Sequence, residues 1–141
     1  TIPAMVMRPF TIYGPGQDLD YPIPAIIQRA KQGECSVWCS GTQTRDWIYI
    51  DDALEVFEFL LYKKESITTN LATGKAITFK EIAEIVFTLI HGVEIPVETQ
   101  NDQPEGAGHR VGCTKRMESL GLYCNTSLEY GIRKMIEWSR E

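Results

Sequence analysis

The sequence predicts an α/β fold, and three observations carry the prediction. Short apolar or β-branched runs alternate with stretches whose apolar residues recur at helical spacing, cap and stop residues bracket those stretches, and glycine- or proline-rich turns separate them. At 141 residues one domain is expected, with about two thirds of the unfolded chain's surface buried.

Ala4-Met5-Val6-Met7 reads as a buried first strand, and Tyr13-Gly14-Pro15-Gly16-Gln17-Asp18 as a sharp turn leaving the sheet. Ile23, Ile26, Ile27 and Ala30 lie on one face of a short helix that tolerates Pro24 in its first turn and stops at Gly33. Cys35–Trp38 and Asp46–Ile50 read as brief strands. Asp51 or Asp52 is then expected to accept hydrogen bonds from free N–H groups at the next helix start, with Ala53, Val56, Phe57, Leu60 and Leu61 facing inward.

Asn70-Leu71-Ala72-Thr73-Gly74 predicts a strand entering a turn, and Thr78 with Glu81 forms a capping box for a helix that buries Phe79, Ile82, Ala83, Val86, Leu89 and Ile90 and ends at Gly92. Ile95-Pro96-Val97-Glu98 reads as an edge strand, because proline cannot donate to a ladder. Residues 99–112 read as a long loop ending in the cationic pair His109-Arg110. Thr126-Ser127-Leu128-Glu129 predicts a second capping box, opening a helix that buries Leu128, Ile132, Met135 and Ile136.

The net charge of −5 and the scatter of the 14 basic residues argue against nucleic-acid binding. No apolar run approaches the roughly 20 residues of a membrane span, so no membrane partner and a cytoplasmic location are expected. Cys35, Cys39, Cys113 and Cys124 lack metal-ligand spacing to one another or to His91 and His109, so no metal is expected and free thiols are. The chain opens at Thr1 without Met and enters an apolar strand almost at once, which suggests a piece of a longer polypeptide.

Arg45 stands between two strand-like runs, where its guanidinium could bind a phosphate bidentately; the plain alternative is a surface ion pair with Asp46. Arg110, at the end of a glycine-containing loop, has the reach to meet an anion, or is simply a solvated arginine. Tyr130 and Lys134 have a spacing suited to acid–base chemistry on one helix face, and Gly106, Gly108 and Gly112 faintly suggest a dinucleotide loop. No strand precedes those glycines and no amphipathic helix follows them, so they read as loop residues.

Five motifs occur in order: Arg8-Pro9-Phe10-Thr11-Ile12-Tyr13-Gly14-Pro15-Gly16-Gln17, Gln43-Thr44-Arg45-Asp46-Trp47-Ile48-Tyr49-Ile50-Asp51-Asp52, Asn70-Leu71-Ala72-Thr73-Gly74, His109-Arg110-Val111-Gly112, and Ser127-Leu128-Glu129-Tyr130-Gly131. Together they resemble the C-terminal part of the extended short-chain dehydrogenase/reductases, the NAD-dependent nucleotide-sugar epimerases and dehydratases. The resemblance implies the last part of a Rossmann-like sheet plus the small mixed α/β substrate-binding domain, without the N-terminal NAD-binding part. It implies that Arg45 and Arg110 contact the diphosphate of a nucleoside-diphosphate sugar. Thr11 stands where the family commonly has an Asn that contacts the sugar or its phosphate, or is merely a strand residue. Ile23, Pro24 and Val37 match positions lining the base pocket, although such residues are most often core, and Arg8 reads as structural. Cys113 replaces an Asp that helps with the nucleoside.

By the same resemblance the catalytic Tyr-Lys pair precedes the Arg-Pro-Phe strand, so Tyr130 and Lys134 lie in the wrong place for it. NAD belongs to the parent enzyme and has no recognisable residues here. The resulting expectation is a nucleotide-sugar-binding portion, inactive alone, that forms a homodimer or associates with an NAD-binding half. The rival expectation is a non-catalytic binding or scaffolding domain. Assembly with a separate cofactor-binding chain would require an exposed apolar patch around the first strand.

Overall fold

The structure is a computed structural model that describes residues 2–63, 65–100 and 106–139. The chain opens as strands β1 (Met5–Pro9) and β2 (Thr11–Tyr13), which the sequence presents as one run. They separate at Phe10, where the chain changes partners. The Phe10 N–H donates to Leu71 O at 3.1 Å, whereas the Thr11 N–H donates to Asp46 O at 3.0 Å. Helix α1 (Pro22–Lys31) follows, with a proline in its first turn and Gly33 in the left-handed region behind it. Next come β3 (Ser36–Trp38), β4 (Thr44–Arg45), β5 (Trp47–Tyr49) and α2 (Ile50–Tyr62).

Strand β6 (Ile67–Leu71) leads through a turn to β7 (Ile77–Thr78) and α3 (Phe79–His91). The capping box at α3 forms as the spacing predicts. The Glu81 N–H donates to Thr78 Oγ1 at 3.1 Å, while Glu81 Oε2 accepts from the Thr78 N–H at 2.7 Å. The last elements are β8 (Glu98–Gln100), β9 (His109–Arg110), α4 (Lys115–Ser119) and α5 (Leu128–Trp138).

Three parallel pairs, β1–β6, β2–β5 and β3–β8, surround a small mixed sheet in the order β7-β4-β9. Strand β4 pairs antiparallel with β7 and parallel with β9. Helices α1, α3 and α5 bury Ile23, Ile27, Ile82, Val86, Ile132 and Met135 in one apolar cluster beneath Tyr13 and Trp47. A second cluster joins α2 to β5, β6 and α4 through Ile48, Val56, Leu60, Leu71 and Met117.

Several expectations are corrected. Phe57 and Leu61 are exposed with Leu54 and Tyr62, because α2 packs through Ala53, Val56 and Leu60 and nothing described covers its outer face. Val6 and Ile2, beside the unpaired edge of β1, are exposed as well. Neither Asp51 nor Asp52 caps α2, which starts at Ile50 behind Tyr49. Asp52 instead turns away and accepts from the Thr126 N–H (3.0 Å) and Oγ1–H (2.8 Å). With Thr126 so engaged, Ser127 caps α5 through the Tyr130 N–H, and Glu129 pairs with Arg133. The edge strand lies at Glu98–Gln100, beyond Pro96. The expected loop 99–112 contains β9 and the end of β8, and its residues 101–105 lie outside the described ones.

Candidate functional site

Arg45 occupies β4, and the parallel register with β9 sets it opposite Arg110. Its Nη1 donates to Thr44 O and to Ala107 O, each at 2.8 Å, and its Cζ lies 5.3 Å from the centre of the Phe79 ring. Carbonyls and an aromatic face orient the guanidinium without neutralising it. Among the described residues the ion pairs are Arg133–Glu129 and Lys134–Glu137, both on α5, so neither facing arginine has a carboxylate partner. Burial first, and then the like charge of Arg110, pull the Arg45 pKa below its ordinary value. Two facing arginines that no described carboxylate neutralises make a place where a multiply charged anion is favoured.

The alternative surface pair Arg45–Asp46 does not form. Asp46 has no exposed surface and is engaged by four donors: the Thr73 N–H (2.7 Å), Thr73 Oγ1–H (2.6 Å), Gly74 N–H (2.9 Å) and Gly112 N–H (3.1 Å). This carboxylate ties the strand carrying Arg45 to the turn after β6 and to the segment just beyond Arg110. A Cβ at Gly112 would collide with Ala72 and Phe10, so only glycine lets that segment approach.

Two recesses flank the arginines. The first, of about 530 Å³, is walled by Ile26, Val37, Trp38 and Phe79 and also lined by Gln43 and Arg45. The second, of about 540 Å³, is lined by Arg8, Pro9, Phe10, Thr11, Asn70 and Arg110. Val37 and Arg45 thus share one recess and Thr11 and Arg110 the other, with the paired arginines between them. Ile23 does not join them: it is 1% exposed within the core, on the inner face of α1. Pro24 lines a different recess, with Gly16, Leu19, Met135 and Trp138. Arg8, read from sequence as structural, is exposed in the second recess, and its side chain makes no hydrogen bond or ion pair with a described residue. Cys113 is exposed, and its carbonyl accepts from Asn70 Nδ2 at 3.2 Å.

Sequence reasoning missed Trp38, Gln43 and Asn70. Strand β3 gives no alternation that could have flagged Trp38: Ser36 and Val37 are both buried and Trp38 is 57% exposed. Tyr130 and Lys134 line neither recess. Lys134 reaches Glu137 at 2.9 Å, and its Nζ lies 5.7 Å from the Tyr130 ring centre.

The residues described do not fit the phosphates of NAD. Gly106 and Gly108 precede β9 rather than a helix, and Gly16 is separated from the start of α1 by residues 17–21. Among the described residues no cluster of three or more His, Cys, Asp or Glu could hold a metal ion, and no helix is long and apolar enough to cross a membrane.

GDP-L-fucose synthase of Sinorhizobium fredii is 31% identical over 140 residues, covering 92% of this chain and 44% of that protein. Human dTDP-D-glucose 4,6-dehydratase is 28% identical over 147 residues, 99% of this chain and 42% of its own length. The chain therefore spans less than half the length of these curated relatives. Among solved structures, UDP-glucuronic acid 4-epimerase from Bacillus cereus, in complex with UDP-glucuronic acid and NAD, superposes with a TM-score of 0.85. It is 22% identical, and the match covers 99% of this chain and 46% of that one. That likeness shows the α/β fold of such enzymes. Residues 1–72, which carry β1, the turn after β2, β4 with Arg45, and Asp46, match the NAD dependent epimerase/dehydratase family, and to that family the chain belongs.

Proposed function

We propose that the chain is the nucleotide-sugar-binding portion of an NAD-dependent sugar epimerase or dehydratase. The observation that carries the reading is the facing pair Arg45 and Arg110, without a carboxylate partner among the described residues, beside an aromatic-walled recess and a second one lined by Arg8, Thr11 and Asn70. In this reading the diphosphate lies across the two guanidiniums. The base enters the recess of Val37 and Trp38, whose exposed ring offers a stacking face. The sugar extends past Thr11 toward Arg8 and Asn70. Thr11 can exchange one hydrogen bond with it where an amide could offer both a donor and an acceptor. The likeness to enzymes named for GDP-, dTDP- and UDP-sugars supports the substrate class.

In this reading the hydride chemistry is served by NAD on a cofactor-binding portion, and the purified chain is expected to turn over no nucleotide sugar. The exposed Ile2 and Val6 on β1's side and the exposed Leu54, Phe57 and Leu61 on the outer face of α2 support packing of a cofactor-binding portion against these surfaces. Calorimetric titration with UDP and dTDP tests the site. Binding that Arg45→Ala weakens by about 2 kcal/mol, the scale of a charge-assisted hydrogen bond, supports the reading. Binding unaffected by Arg45→Ala and Arg110→Ala would favour a scaffolding domain with another ligand site.

A further inference from the structure

A third recess, of about 670 Å³, shares no lining residue with the two beside the arginines. Helix α3, the segment after it and the first turn of α5 build it. Ile85 and Leu89 of α3 are half-buried there, packed on the edge of the apolar cluster of α1, α3 and α5, and Ile95 is 38% exposed. Glu84, Glu94 and Glu129 come to the same recess from three different stretches of chain, and no described lysine, arginine or histidine lines it. Glu129 pairs with Arg133 on its own helix at 2.9 Å. Glu84 and Glu94 make no side-chain hydrogen bond or ion pair with a described residue.

The two features together define a complementary chemistry. The apolar side chains gain by leaving water, and carboxylates with no cation beside them favour a positive partner while disfavouring nucleic acid, anionic lipid and acidic proteins. A folded partner making an interface of standard size needs roughly 20–30 residues a side, far more than this recess offers, so a short segment suits it. Leucine or isoleucine next to lysine or arginine meets both demands, because the aliphatic stems of the basic residues cover apolar surface while their charged heads reach outward. We propose that this recess docks a short cationic amphipathic segment of a partner protein, its apolar side chains against Ile85, Leu89 and Ile95 and its basic ones on Glu84 and Glu94. The inference does not depend on the nucleotide-sugar reading, and either can fail without the other.

Two synthetic leucine–lysine peptides test it, one with leucines at helical spacing and one with strict alternation. Each is titrated calorimetrically into the 141-residue chain at low and at physiological salt, with spermine as a cation lacking apolar side chains. At least one peptide is expected to bind, and less tightly at the higher salt. The double variant Glu84→Gln/Glu94→Gln should weaken that binding about three- to tenfold, the scale of two exposed ion pairs, and Ile95→Ser by at least about threefold through lost apolar contact, with thermal melts showing both variants folded. Glu55→Gln/Glu58→Gln, the same charge change at exposed positions of α2, should leave it unchanged. Binding of neither peptide overturns the proposal, as does binding that survives both recess variants. Equal weakening by the α2 variant overturns it as unspecific attraction to an acidic chain, and spermine binding as tightly as the better peptide overturns it in favour of a free polyamine.

Discussion

Replacing Asp46 by Asn tests the central physical inference about this site, that a buried carboxylate holds the arginine strands in place. One carboxylate oxygen accepts from the Thr73 N–H and hydroxyl and the other from the Gly74 and Gly112 N–H groups, at 2.6 to 3.1 Å. An Asn must turn its NH2 toward one of these pairs. Facing Gly74 and Gly112, it opposes two donors with a donor. Facing Thr73, it can donate to the hydroxyl but still confronts the Thr73 N–H. The better arrangement therefore loses at least one hydrogen bond to a charged group, worth about 1.5–3 kcal/mol, and leaves a buried N–H unmatched.

Opposing this, Asn no longer carries a charge out of water, a cost of several kcal/mol for a fully buried ion. Four donors on one carboxylate are taken to outweigh that cost, so Asp46→Asn is expected to lose about 2–4 kcal/mol and Asp46→Ala more. At about 2–4 °C per kcal/mol for a chain of this size, the melting point should fall by roughly 10 °C. Urea unfolding followed by tryptophan fluorescence measures the loss, since Trp47 adjoins the site and is buried. An Asp46→Asn protein within about 0.5 kcal/mol of wild type would refute the reasoning, because desolvation would then cancel the hydrogen bonds.

Gly131→Ala sets two effects against each other: alanine favours a helix interior by about 1 kcal/mol, but the added Cβ would collide with the ring and hydroxyl of buried Tyr13. Overpacking against a rigid ring costs about 1–3 kcal/mol, so chemical denaturation should show a net loss, whereas a gain would mean that α5 moves freely off Tyr13. Burial, and after it the carboxylate of Asp52, push the Cys124 thiol up to about 12. The folded value lies above the unfolded one, so this stabilisation is complete below about pH 8.5, and it is lost as pH rises through the folded value. Melts from pH 7 to 11 should show that decline in wild type and less of it in Cys124→Ala, and iodoacetamide at pH 8 should label exposed Cys113 well before Cys124.

What the sequence made legible was local. The Thr78–Glu81 box, Gly33 and Gly92 behind their helices, and the proline at the start of α1 act within three or four residues, and each was readable. What it hid depends on partners far along the chain. Strands β4, β7 and β9 are two residues each and exist through pairings between Arg45, Ile77 and Arg110. Asp52 looked like a helix cap because its real partner, Thr126, is 74 residues away. Phe57 and Leu61 have helical spacing, but spacing does not say whether anything covers the face they occupy. In the site, the arginines were readable as charges in turn-like settings. Ile23 and Val37 were not separable, since an apolar residue facing a core and one facing a cavity look alike in sequence. Gln43 is an uncharged residue outside any periodic pattern, so nothing in the sequence marks it as lining a recess.

Arg45 ends β4 and Asp46 is the single residue between β4 and β5, where the chain passes from one sheet to the other. One residue of the pair turns inward and collects four hydrogen bonds; its neighbour turns outward to the recess. Through the Gly112 N–H the same carboxylate fixes a point two residues beyond Arg110, so one buried side chain sets the positions of both arginines. Burial and, after it, the positive charge of Arg110 lower the Arg45 pKa, so Arg110 is near enough to act on Arg45 and the two guanidiniums repel each other. Without Asp46 the β9 segment could relax away from Arg45 and dissipate the repulsion. Held in place, the two guanidiniums keep that repulsion, and in the proposed reading a diphosphate lying across them would relieve it, adding to the anion's own attraction.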